Sequence, residues 1–250
     1  MTHVINSELF KLRTTRTFIA LVGAALAIAL VAAILLAAFV NFNTEDQPNE
    51  ILPIVIGPIV RALALVIGVL AVTNEFRHGT ITPTLLVVPN RTKLMLAKLV
   101  AVLGMALVLG FVVGLIMVGS GSIFASLRDF ETGGMVLSIV LGSTVATALN
   151  AALGLGVGVL VRNQVGAIVG VLIYGFILED LIGLIPGVRD VLPKYGLGGV
   201  SNSLAGVGDA ISGDDITPLS QPVAGLLLAL YVLIIWAIGL LVMRRRDVTA

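Results

Sequence analysis

Cysteine is absent from the 250 residues, histidine occurs only at His3 and His78, and Asp, Glu, Lys and Arg together make up 12% of the chain. Without cysteine there is no disulfide framework, no thiolate nucleophile and no cysteine metal ligand. The two histidines have no metal-pair spacing and stand in no H-E-x-x-H pattern. No G-x-x-x-x-G-K-[ST] stretch occurs, so the chain carries no P-loop of its own. The GLGVG of 154–158 shares only its glycines with a dinucleotide fingerprint, because it lies inside an apolar run with no strand before it. The paired intramembrane acids or histidines that a membrane-embedded enzyme needs are missing. The charged share is about half of the roughly 25% usual in a soluble domain.

What the chain holds instead is apolar length. It is 58% hydrophobic, with a mean hydropathy of +1.12. Apolar runs of about 20 residues, enough to cross a bilayer core as a helix, recur along it. Six spans are expected, at 17–39, 54–73, 95–119, 134–161, 165–185 and 222–243. The charges sort between the two ends of these spans. Lys11, Arg13, Arg16, Arg77, Arg91, Lys93, Lys98, Arg162, Arg244, Arg245 and Arg246 fall on one side. Glu45, Asp46, Glu50, Asp129, Glu131, Asp190, Asp209, Asp214 and Asp215 fall on the other, with Arg128, Arg189 and Lys194. Lys and Arg collect in cytoplasmic loops. Both termini and the 74–94 connection are therefore expected in the cytoplasm, with the chain in the cell membrane. The first run follows a basic KLRTTR segment, as a signal core would. It exceeds the roughly 7–15 residues of such a core and reads as a retained span.

Ahead of the first span, Val4, Ile5, Leu9 and Leu12 share one helical face, with Ser7, Lys11 and Thr14 opposite. This is the pattern of a helix lying in the membrane interface over residues 1–16, with a frayed basic tail as the alternative. The 186–221 connection repeats Leu197, Val200, Leu204, Val207 and Ile211 at threes and fours. That suits an interfacial helix on the outer side, although the glycines between 196 and 208 weaken it.

The 74–94 connection is the least ordinary loop. Leu85, Leu86, Val87 and Val88 stand where a loop is usually polar, flanked by Arg77, Arg91 and Lys93. Gly79 suits the left-handed cap of the second span. Thr82 and Pro83 suit an N-cap and a first helical position. Pro89 disfavours helix at Val88, and Thr92 can cap the third span. The expectation is a short helix, PTLLV, parallel to the membrane. Its apolar residues either dip into the lipid interface or fill a groove in a cytoplasmic partner, and composition does not choose between these.

The stretch NEFRHGTITPTLLVVPNRTKLMLAK resembles the cytoplasmic loop of permease subunits in type-2 ABC exporters. SELFKLRTTRT is similar to the interfacial helix that opens such chains. Glu75, Gly79, Thr80, Leu85, Leu86, Pro89, Arg91 and Lys98 carry the likeness. The resemblance implies an all-α polytopic membrane protein, with residues 1–250 forming one permease domain. That domain would have six transmembrane helices, an interfacial N-terminal helix and a short cytoplasmic coupling helix. It implies that the coupling helix, its register fixed by Arg77 and Arg91, contacts a separate cytoplasmic ATP-binding cassette subunit. That partner would bind ATP and Mg and hydrolyse the nucleotide, so the chain itself would need no cofactor and be no enzyme. A second permease, identical or different, would complete the path. Membrane lipid is a further partner and nucleic acid is not. An ATP-independent transporter or channel is the competing reading; it would show inverted repeats and charged midplane sites, and no convincing repeat is seen. The large extracellular domain of some longer relatives has no counterpart here, and the substrate is not written in the sequence.

Two intramembrane features are candidates for an outer gate or path. Ser143, Thr147, Asn150, Gly154 and Gly158 recur at helical spacing on the fourth span. That face either packs on other helices or lines the path. Gly154/Gly158, Gly110/Gly114 and Gly166/Gly170 each form the G-x-x-x-G that lets helices approach. Arg61 lies about 12 Å into the second span at roughly 1.5 Å per residue. A charge near the bilayer centre costs about 2.5–3.5 kcal/mol on insertion scales. Arg61 is expected to reach Glu179 or Asp180 on the fifth span and hold an outer gate shut, or to snorkel outward if Pro58 ends its helix early.

Overall fold

The structure, a computed structural model, describes residues 1–39, 48–127, 136–185, 187–188, 191–208 and 217–245. In a bilayer the backbone must satisfy its own N–H and C=O groups, and these Ala-, Leu-, Val- and Ile-rich runs do so as helices. In chain order they are α1 (Thr2–Thr14), α2 (Arg16–Phe39), α3 (Pro48–Arg77), α4 (Ile81–Val87), α5 (Arg91–Leu127), α6 (Val136–Val161) and α7 (Gln164–Ile173). A π-helical turn (Tyr174–Leu178) follows, then α8 (Glu179–Gly183), α9 (Leu192–Tyr195), α10 (Leu197–Leu204) and α11 (Gln221–Arg245). Among the described residues, six helical stretches are long and apolar enough to cross a membrane: Arg16–Leu36, Pro53–Arg77, Arg91–Ile123, Val136–Val161, Gln164–Gly183 and Gln221–Met243. The chain is an all-α polytopic membrane protein, and the six expected spans recur in order and place.

The centre of the bundle is α6. Of its span 72% is buried, against 17% for α2 and 12% for the stretch from α7 to α8. It packs most extensively on α3, then on α5 and α11. The α3–α6 crossing brings backbones together. A Cβ on Gly68 would lie 1.9 Å from the Ala151 carbonyl oxygen, and one on Gly154 would lie 2.0 Å from that of Leu65. Lipid supplies no hydrophobic drive between helices, so close van der Waals contact of small residues holds such a pair. Apart from Asn150, the 143–158 stripe is accordingly a packing face. Thr147 meets α5 at Gly110, while Gly154 and Gly158 meet α3 at Leu65 and Val69. Gly170, from the third G-x-x-x-G, meets no side chain or backbone of the described residues.

Three expectations change. Pro58 does not end its helix, since α3 runs through Pro53 and Pro58; the packing of α3 on α5 and α6 outweighs the hydrogen bonds a proline cannot donate. The repeat in the 186–221 connection is not an interfacial face. Val200, Leu204 and Val207 are buried with Ala224 and Leu228 of α11, so the three-and-four spacing records packing into the bundle. The apolar face of α1 likewise covers protein: Leu12 is buried, Val4 and Leu9 pack against the same core, and α5 is the main neighbour. Ile211, Glu45, Asp46, Arg128, Asp129, Glu131, Arg189, Asp190, Asp209, Asp214, Asp215 and Arg246 lie outside the described residues, as do the side chains of Glu50, Asp180, Arg244 and Arg245.

Candidate functional site

The chain turns out of α3 through Gly79 at φ +66, a left-handed conformation that glycine adopts without strain. Helix α4 begins at Ile81, earlier than Thr82–Pro83 suggests. Its N-cap is Thr80, whose carbonyl accepts from the Thr84 N–H at 3.3 Å and from Thr84 Oγ1 at 2.8 Å. Pro83 falls in the first turn, where no intrahelical N–H bond is needed. Val88, at φ −124 and ψ 83, leaves the helical region ahead of Pro89. Asn90 rather than Thr92 caps α5: its Oδ1 accepts the Lys93 N–H at 3.0 Å.

The apolar quartet splits into two pairs. Leu85 and Val88 pack against the main core, below the fully buried Ile81. Leu86 and Val87 point away, 79% and 82% exposed. A helix of seven residues is thus pinned by one face and offers two bare aliphatic side chains on the other.

Next to α4 lies a cluster of four charges, three of them buried (Glu8, Glu75 and Lys98) and the fourth, Lys11, partly exposed. Lys98 Nζ on α5 sits 2.6 Å from Glu8 Oε2 of α1 and 2.7 Å from Glu75 Oε1 of α3. Lys11 Nζ reaches Glu8 Oε1 at 2.7 Å and Glu75 Oε1 at 2.9 Å. Two carboxylates and two ammonium groups balance formally. Burial pulls the Lys11 pKa down, but the hydrogen bonds it donates to Glu8 and Glu75 and their negative charge outweigh it and leave the pKa raised. Glu75 is buried, and it ties together the helices on either side of α4.

The flanking arginines are engaged within the chain. Arg77 donates to Gln164 Oε1 at 3.1 Å, and Arg91 donates to the Met243 carbonyl at 2.6 Å. Arg162 lies over the Phe76 ring at 5.4 Å. These contacts gather α1, α4, the last turns of α3, α6 and α11, and the first turns of α5 and α7 at one end of the bundle. It is the end where the basic residues were expected to collect.

At the other end, Arg61 is buried and donates to Asn202 Oδ1 of α10. The expected ion pair with Glu179 is not formed. Glu179, also buried, accepts the Gly198 N–H at 2.8 Å and 3.0 Å through its two carboxylate oxygens. A Cβ on Gly196 would lie 2.2 Å from Glu179 Oε1, so the bare backbone of YGLGG, at the junction of α9 and α10, is what receives this carboxylate. Asn150 donates to the Ala146 carbonyl at 2.9 Å and to Ser201 Oγ at 3.0 Å. Thr147 donates to the Ser143 carbonyl at 2.7 Å. Arg61, Asn150, Glu179 and Asn202 all line one cavity of about 560 Å³. Thr147 lies outside it, in the α5–α6 contact.

The family model described as "ABC-2 family transporter protein" matches residues 4–178, from α1 through the π-helical turn. The chain belongs to the ABC-2 transporter family. Among curated proteins, none matches the chain. For an ABC-2 permease the matched stretch contains α1, the charge cluster, α4, Arg61 and all of α6. Glu179, α10 and α11 lie beyond it.

Three participants in these sites were not anticipated as such. Glu8 was the one acid in SELFKLRTTR, three residues before Lys11, a spacing that places both on one helical face. Asn202 sits in the polar triplet Ser201–Ser203 between Val200 and Leu204, a break in an otherwise apolar helical repeat. Val87 was noted in the quartet, but its pairing with Leu86 depends on where α4 begins.

Proposed function

We propose that this ABC-2 permease is the membrane subunit of an ATP-driven exporter, and that Leu86 and Val87 are its contact with a separate cytoplasmic ATP-binding subunit. The observation that carries this reading is the pair of aliphatic side chains held bare on a short helix whose other face is fixed in the core. Burying such a pair in a partner is favourable by about 1.5–3 kcal/mol for each fully covered side chain. Beside them, a groove of about 320 Å³ between α1 and α4 mixes Val4, Ser7, Glu8, Lys11, Thr84 and Val87. That chemistry suits a protein surface better than acyl chains.

The same geometry supplies a route for force. Short turns join α4 to α3 and α5, and the Glu8–Lys11–Glu75–Lys98 cluster fastens those helices to each other and to α1. Movement of α4 therefore displaces the ends of both spans together. The α3–α6 backbone contact passes the displacement to the centre of the bundle. In this reading the partner binds ATP and Mg, and its closure drives the permease. The chain contributes no catalytic group and no cofactor. The basic end and both termini face the cytoplasm, the whole chain acts as one permease domain in the cell membrane, and a second permease completes the path. Arg61, Asn150, Glu179 and Asp180 are its candidates for the outer gate or lining, with Thr147 supporting them through the α5–α6 contact.

Replacing Leu86 and Val87 together by Asp tests the reading. The variant is expected to insert and unfold as the parent does, yet to lose co-purification with the co-expressed ATP-binding subunit and its ATP hydrolysis in lipid. An intact, fully active complex contradicts it.

A further inference from the structure

Where α1 crosses α2 and α5, the three helices leave a groove of about 250 Å³. Its walls are aliphatic, with Leu12 of α1, Val22 and Leu26 of α2, and Met105, Val108 and Val112 of α5 among them. On α5 it runs from Gly104 to Val112, about 12 Å at 1.5 Å per residue. A Cβ on Gly104 would meet nothing within 4 Å, so this glycine keeps the groove open. The groove faces outward from the bundle. Only 17% of the α2 span is buried, and Val108 is 65% exposed. The one charged residue that lines it is Arg13, in the last turn of α1. Past the extended Thr15, Arg16 opens α2. Both arginines are exposed.

An apolar trough along two spans, with guanidinium groups at one end, matches a lipid in both parts. Arginine presents a planar fork of donors that fits a phosphate, and basic pockets between membrane helices collect anionic headgroups. The trough itself does not choose among lipids. Acyl chains are alike in chemistry, and lipid supplies no hydrophobic drive toward a helix surface. Selection therefore falls to the headgroup. Phosphatidylcholine brings a phosphate with its own ammonium, which Arg13 and Arg16 repel. An anionic phospholipid brings the phosphate without that cation.

We infer that this groove is a binding site for an anionic phospholipid, whose phosphate meets Arg13 and Arg16 while one acyl chain lies between α2 and α5. The bound lipid fastens α1 to both spans. Because α1 carries Glu8 and Lys11, the same lipid holds half of the charge cluster in place. The site does not depend on the docking role of α4, since lipid binding alone reports it.

The test uses the full chain in phosphatidylcholine nanodiscs. Trp236 is the single tryptophan, so Trp236→Phe clears the background, and Phe111→Trp sets a reporter on an exposed position of α5 beside Val108 and Val112. Phosphatidylglycerol or phosphatidylcholine with dibrominated acyl chains is added as the quencher, at equal fractions. Brominated phosphatidylglycerol is expected to hold the place next to the reporter roughly fivefold more tightly than brominated phosphatidylcholine. Arg13→Gln with Arg16→Gln should bring the two lipids to parity. Lys93→Gln, which removes an exposed charge at the start of α5 outside the groove, should leave the preference as it is. Gly104→Phe fills the groove without touching a charge and should also bring the lipids to parity. Equal quenching by the two lipids in the reporter chain overturns the inference. So does an equal loss of preference in Lys93→Gln and the double arginine variant, which assigns it to the general field of the basic end. A preference that survives Gly104→Phe overturns the groove as the site. Quenching by neither lipid overturns it as well, and assigns this face to a second protein chain.

Discussion

Lys98 of α5 and Glu75 of α3 lie 2.7 Å apart, closing the chain around the short helix α4 that separates them in sequence. With Glu8 and Lys11 they make a charge-balanced cluster in which Lys98 is almost wholly buried. Buried pairs add little net stability against a well-packed apolar substitute, but removing one partner strands the other. Lys98→Met is therefore expected to lower stability by about 3–5 kcal/mol. Adding Glu75→Leu should recover much of the loss, because the Glu8–Lys11 pair is left neutral. Thermal unfolding in nanodiscs checks this, and additive losses would count against a coupled cluster.

The raised pKa of Lys11 gives the cluster a pH signature. A lysine whose pKa is higher in the folded chain stabilises the fold fully below its ordinary value of 10.5. That contribution fades as pH climbs through the folded value. Docking of α1 is thus expected to hold unchanged across neutral pH and to loosen only in the alkaline range. Limited proteolysis of residues 1–15 against pH, compared with Lys11→Met, reads the difference. The variant should lack the alkaline step and be cleaved faster across neutral pH, with the two converging once the parent's Lys11 has lost its proton.

Backbone contact between α3 and α6 predicts a sharp contrast between glycines. Gly154→Ala places a methyl 2.0 Å from the Leu65 carbonyl oxygen and must push the helices apart, an overpacking cost of about 1–3 kcal/mol. Gly23→Ala, with nothing within 4 Å, should be neutral or slightly stabilising. Midpoints of thermal unfolding for the two variants decide it.

The fold was legible because lipid leaves a chain few options. Six apolar runs gave the six spans, and the positions of Lys and Arg placed α1, α4 and the ends of α3 and α11 together. Local chemistry was legible at Gly79 and Val88, where backbone sterics act alone. It was less so where tertiary contacts compete: Asn90 displaced Thr92 as the cap of α5, and α3 ran straight through Pro58. The partners of buried charges were the least legible part. Glu75 was carried over from the resemblance with no partner named, and Arg61 was expected to reach Glu179 or Asp180 or to snorkel, because spacing along one helix does not say which other helix comes alongside. Glu8 and Asn202, the groups that meet these charges, lie 90 residues from Lys98 and 141 from Arg61 in sequence.

Site-specific capture of the partner bears most directly on the docking role of α4. The chain has no cysteine, so single cysteines at Ile81, Leu85, Leu86 and Val87 can carry a maleimide-benzophenone without background. The complex is then irradiated in the presence of the ATP-binding subunit. The account predicts strong photocrosslinks to that subunit from positions 86 and 87, weak ones from 85 and none from the buried position 81. Crosslinks to lipid alone from positions 86 and 87 would contradict it and make α4 a helix that rests in the membrane interface.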